Sequence, residues 1–126
     1  MINDDIYSAL ATALGSTVEG IYDTKLPDGY ALGPLPAVVF AAVSDVPDDI
    51  GIDGQVLCST ARWQVTARAL DLPTCRPVLA VIKTTLHGYS GGAVVRCDWE
   101  SDGPEVFEPD VIPFEYHASA DFMIQH

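Results

Sequence analysis

From Ile112 to Ile124 every second residue is apolar: Ile112, Phe114, Tyr116, Ala118, Ala120, Phe122 and Ile124. Glu115, His117, Ser119 and Asp121 fall between them. A period of two is that of a pleated strand, whose successive side chains point to opposite faces, so one face packs and the other carries polar groups. A strand of this kind cannot stand alone. It needs neighbours along its backbone edges and an apolar layer against its packed face, and the rest of the chain has to supply both.

Two further strands are legible. "PAVVFAAVS", residues 36–44, is β-branched and apolar on both faces, which suits a central strand. In the segment from Leu57 to Ala69, Leu57, Ala61, Trp63, Val65, Ala67 and Ala69 face one way, and Thr60, Arg62, Gln64, Thr66 and Arg68 the other. Between them "DVPDDIGIDGQ" is acidic and broken by Pro47, Gly51 and Gly54, which reads as a long exposed loop over 44–55. Ile6, Leu10 and Leu14 recur at helical spacing, with Asn3 as the cap, Asp4 and Asp5 near the positive end, and Gly15 as the stop. "TVEGIY" is a short extended piece, and the Gly- and Pro-rich "DTKLPDGYALGPLP" a surface loop. A second helix carries Val78, Leu79, Ile82 and Leu86 as its buried stripe, with Thr74 as cap and Pro77 in the first turn. "AVVRCDW" is a strand, and "ESDGPEVFEPD" an acidic turn before the alternating end. The expectation is one α+β domain over 1–126: a mostly antiparallel sheet with two helices packed on one face.

Composition narrows the function. Six Lys and Arg against eighteen Asp and Glu leave a formal charge of −12, and no window forms the basic stripe that gripping phosphates requires. Acidic lipid would repel the chain for the same reason, and its longest apolar run, "LPAVVFAAV", is far short of the ~20 residues of a membrane span. "MINDDIYSAL" lacks the positive charge and apolar block of an export signal. Cys58, Cys75 and Cys97 are odd in number and show no C-x-x-C spacing, so reduced, partly buried thiols are expected rather than a disulfide framework or a zinc site.

Gly88-Tyr89-Ser90-Gly91-Gly92 satisfies G-x-S-x-G, the pattern of a hydrolase nucleophile elbow. In an elbow the serine sits on a turn from strand into helix, where the helix N-terminus favours an oxyanion. Here the order is helix, glycine turn, strand, which aims Ser90 at a helix C-terminus, where the dipole is negative. The triad would have to be completed by His117 with Asp98 or Asp110, and His117 sits on the polar face of a strand. The glycines read better as a helix stop and a left-handed turn. "DIGIDG", from Asp49, begins like a calcium loop, but Gly51 and Thr60 stand where a middle ligand and the bidentate glutamate belong. His87, His117 and His126 lack ligand spacing, and Glu105 and Glu108 lie in a solvated acidic turn. No cofactor or metal site is expected. Trp63 and Trp99 are read as core or interface packing.

In order and spacing, "GIYDTKLPDG", "LPAVVF", "ARWQVTARA", "TTLHGYSG", "ESDGPEVFEPD" and "PFEYHASADFMI" resemble the tail terminator, or tail completion, proteins of long-tailed bacteriophages and gene transfer particles. The resemblance spans nearly the whole chain. It implies a small α+β subunit without catalytic residues, forming a ring, usually hexameric, that caps the tail tube and offers a surface to the head-side connector. Its partners would be copies of itself, the tail tube protein and the connector, with DNA passing through without specific binding and no membrane involved. The proline-bearing second helix and the acidic 45–53 loop depart mildly from the family pattern. Asp45, Asp48, Asp49 and Asp53 are then either a contact surface or a solvated loop; lining a lumen, they would repel passing DNA. Arg62, Arg68, Glu115 and Asp121 are expected to meet opposite charges of a neighbouring subunit. The rival readings are another neck or connector component, and a small serine hydrolase using Ser90.

Overall fold

A computed structural model of the chain describes residues 2–18, 20–24, 36–50, 56–92, 94–103, 105–108 and 115–126. Helix α1, Ile2–Leu14, and a 3-10 turn, Gly15–Thr17, lead into strand β1, Gly20–Asp23. Strands β2, Ala37–Ile50, and β3, Val56–Ala69, are followed by helix α2, Leu72–Leu86. Strands β4, Arg96–Asp102, β5, Val106–Glu108, and β6, Glu115–Gln125, complete the order. The sheet runs β1-β2-β3-β6-β4; only β1–β2 is parallel. His117 and Tyr116 pair with β3 on one side and with β5 on the other, so β5 continues the line of β4 along the outer edge of β6. This is the α+β sheet with two helices that the sequence predicts.

The packed face is the one set by the alternation. Ala61, Trp63, Val65, Ala67 and Ala69 of β3 and Ala118, Ala120, Phe122 and Ile124 of β6 are all buried, beside Val38 and Phe40 of β2 and Cys97 of β4. Ile6, Leu10 and Leu14 of α1 and Cys75, Val78, Leu79, Ile82 and Leu86 of α2 close the same core. Phe40 stacks on Trp63, with ring centroids 5.7 Å apart. Burying a side chain of this size contributes about 1.5–3 kcal/mol, so this cluster is the main stabilising term of the fold.

Four local expectations need correction. Helix α1 runs from Ile2, so Asn3 lies within its first turn rather than capping it. Helix α2 begins at Leu72, earlier than expected: Asp71 is the cap, accepting from the Thr74 N–H at 2.8 Å, Pro73 occupies the first turn, and Pro77 lies inside the helix. The 44–55 stretch is not a single loop. Strand β2 continues to Ile50 and β3 starts at Val56, with Asp45 opposite Ala61 and Ile50 opposite Val56. The turn expected at 100–110 likewise holds the end of β4 and all of β5. In both places backbone pairing with an adjacent strand overrides the weak strand preference of Asp, Pro and Gly. Ile112 and Phe114 lie outside the described residues.

Candidate interaction surface

Both helices cover one face of the sheet, and the polar rows of β3 and β6 line the other. Residues in register across an antiparallel pair lie close enough to interact, and here the pairing places Arg68 opposite His117, Thr66 opposite Ser119 and Gln64 opposite Asp121. Arg62 Nη2 lies 3.2 Å from Asp121 Oδ2, and its Nη1 3.6 Å from Glu100 Oε2, so one guanidinium ties β3, β6 and β4 together. Arg68 Nε donates to His117 Nε2 at 3.1 Å and stands 3.1 Å from Glu115 Oε1. Glu115, 6 % exposed, is the buried charge of this face, and Arg68 offsets its desolvation. All four residues expected to meet charges on a neighbour thus meet them within the chain.

The acidic segment forms a projecting arm. Beyond Ser59, whose backbone exchanges hydrogen bonds with His126 at 2.8 and 2.9 Å, β3 has no β6 residue beside it, while β1 reaches only as far as Phe40 of β2. Val43 is the extra residue of a bulge between Ala42 and Ser44, a feature that bends and twists a strand. Pro47 is tolerated where β2 has become an edge strand. Asp45 lies 3.1 Å from His126 Nε2. Asp48 and Asp49 belong to the distal part of β2, and Asp53 lies outside the described residues. The dipeptide Asp53-Gly54 between two extended stretches was the sequence signal for such a hairpin.

A groove of ≈ 390 Å³, which no sequence pattern signals, lies between α2 and the β4–β5 edge, lined by Arg76, Lys83, Asp102, Gly103, Glu105 and Ser119 among others. Arg76 Nε and Nη2 donate to Glu105 at 2.8 and 3.1 Å, and Lys83 lies 3.3 Å from Asp102 and 4.9 Å from the centre of the Trp99 ring. The hydrogen bond from Arg76 holds the Glu105 carboxyl below the usual carboxylate range. Glu105 therefore pairs with a helix residue. Sequence shows the two charges but not the fold that brings Glu105 beside Arg76. Trp63 belongs to the core, whereas Trp99 is 42 % exposed and lines a separate hollow with Lys83, Thr84 and His87.

Ser90 follows the helix, as expected. Gly88, at φ +81°, donates to the Cys97 carbonyl at 2.7 Å, Gly91 bridges Val94, and Gly92 sits at φ +54°. The histidine rings are engaged elsewhere: His87 Nδ1 accepts from the Trp99 N–H at 3.0 Å, His117 from Arg68, and His126 faces Asp45. Among the described residues no three of His, Cys, Asp and Glu converge as metal ligands would, and no helix is long and apolar enough to cross a membrane.

No protein-family model matches the chain, and no curated protein does. Solved structures do. One is a chain of the virion of a native gene transfer agent particle, 15 % identical, with 95 % of this chain and 90 % of that one covered at a TM-score of 0.58. At that identity the likeness is one of fold, and it extends over almost the entire length of both chains.

Proposed function

We propose that this chain is a virion structural subunit of a phage-like particle, acting as a tail terminator: a ring, hexameric by the family pattern, that closes the tail tube and joins it to the head-side connector. The observation that carries the reading is the end-to-end likeness of fold to a chain of a gene transfer agent virion. The succession of sequence patterns from "GIYDTKLPDG" to "PFEYHASADFMI" points the same way. In this reading the polar sheet face bearing Arg62, Arg68, Glu115 and Asp121, and the arm bearing Asp45, Asp48, Asp49 and Asp53, are the surfaces that meet neighbouring subunits, the tube protein or the connector. Charges already paired within the chain lose less on being covered than bare ones, which favours the sheet face as a seam. DNA would pass through the ring without specific binding, repelled by a chain of charge −12. The place of work would be the neck of the particle, after assembly in the host cytoplasm.

Sedimentation velocity and negative-stain microscopy of the purified protein, alone and with tail tubes, test the reading. A closed ring of about six copies of the 13.5 kDa subunit, or a cap on tube ends, is the expected result. A persistent monomer that ignores tubes would sink it. A neck component other than the terminator would instead attach to the connector and leave tube length unregulated.

A further inference from the structure

The distal arm is the least supported part of the molecule. Past Ser59 only β2 and β3 remain among the described residues, and a two-stranded hairpin on its own is marginal in water. Two of its described side chains are apolar and open to solvent: Val43 and Val46 are 60 % and 56 % exposed. The segment 37–60 carries four aspartates and no Lys or Arg. Exposed apolar residues among charges of a single sign suit a surface that is apolar at its centre and basic at its rim.

Among its described residues a second copy of the chain offers no such surface. Of its six Lys and Arg, the five that are described each face an acid of their own chain: Arg62 with Asp121, Arg68 with Glu115, Arg76 with Glu105, Lys83 with Asp102 and Arg96 with Asp98. Docking the arm there would set its aspartates against pairs already neutralised, on a body of charge −12. We infer that the arm, residues 43–50 with 56–60, docks on a different protein through a surface whose unpaired Lys and Arg surround an apolar contact for Val43 and Val46. The inference goes beyond the ring reading and holds whether or not the subunit closes a ring.

A synthetic peptide alternating lysine and valine is the probe, with a lysine–serine peptide as its control. Isothermal titration calorimetry measures binding to the full chain, and sedimentation velocity measures self-association of the same samples. The wild-type protein should bind the lysine–valine peptide more tightly than the control. Val43→Thr with Val46→Thr keeps charge and β-branching, so general attraction to an acidic protein is unchanged by it. This variant should weaken binding about tenfold, as expected when ~1.4 kcal/mol of apolar contact is removed. Asp48→Asn with Asp49→Asn should weaken binding and flatten its salt dependence. Self-association should be unaltered in the valine variant, which keeps the charge of the chain. Equal binding by the Val43→Thr/Val46→Thr variant overturns the inference, as does loss of self-association in that variant, which would make a second copy the occupant. Equal peptide binding leaves the ring reading untouched, whereas loss of self-association would place the contact between copies on the arm.

Discussion

At Ser90 the chemistry of the G-x-S-x-G stretch lies in the glycines. Gly88 and Gly92 hold positive φ, which other L-residues adopt at a cost of roughly 1–2 kcal/mol. A Cβ on Gly92 would also fall against the Asp5 carboxylate of α1, whereas one on Gly88 would meet open space. Urea unfolding should therefore rank three alanine variants: Gly92→Ala loses about 2 kcal/mol, Gly88→Ala about 1 kcal/mol, and Ser90→Ala less than about 0.5 kcal/mol. A nucleophile would give the opposite pattern, with the serine mattering for activity and the stability differences secondary. The thiols of Cys75 and Cys97 make a second prediction at this scale. Burial pushes Cys75 up to about 11 and Cys97 up to about 12, from an ordinary value near 9. The folded state thus holds these protons where the unfolded chain releases them. Stability from this source is fully present below pH 9 and is lost as pH rises through 11 and 12. By pH 10 the loss should reach about 1.4 kcal/mol per thiol, and serine at either position, although destabilising in itself, should flatten that alkaline slope.

At the scale of elements, what could be read from sequence followed the strength of periodic burial. β3, and β6 over its described residues, were legible because Trp63, Val65, Phe122 and Ile124 alternate with polar groups over a long run, and one face of each is buried. α1 and α2 were legible through Ile6, Leu10 and Leu14 and through Val78, Leu79, Ile82 and Leu86, although their caps were not. Asp71 was passed over because a cap depends on backbone geometry at one residue, and Thr74 offers the same chemistry three positions later. The distal arm and β5 were missed for a different reason: neither alternates, and each is a strand only because a neighbour holds its backbone. The ion pairs of the polar sheet face were read as partners for another subunit because sequence shows the charges but not the register that brings Arg68 to His117 and Glu115. An arm held by one neighbour should open more readily than a sheet held by two. Amide hydrogen exchange of the purified subunit should show protection falling sharply between the Ala61–Ala69 part of β3 and its Val56–Cys58 end. Uniform protection along β3 would mean that the arm is already covered.

At the scale of the whole molecule, the charge of −12 and the in-chain pairing of Arg62, Arg68, Arg76, Lys83 and Arg96 bear together on assembly. If the proposed ring were held by ion pairs across its seams, salt would dissolve it. The described cations that such pairs need are already engaged, so a seam over the described residues gains little from new ion pairs and depends on apolar and backbone groups, while the net charges oppose it. Trp99, Val95 and Phe107, at 42 %, 61 % and 46 % exposed along the β4–β5 edge, are the apolar groups at hand. Salt screens the repulsion, shortening the Debye length from about 30 Å at 0.01 M to about 8 Å at 0.15 M, and leaves apolar association intact. Raising salt across that range should therefore shift the sedimentation profile of the purified subunit towards the ring. Trp99→Ala should shift it back at every salt concentration while leaving the fold in place, since its ring is half-exposed. A ring that forms at low salt and falls apart as salt is added would mean that oppositely charged side chains join the subunits, with the pairs seen within one chain exchanged for pairs between chains.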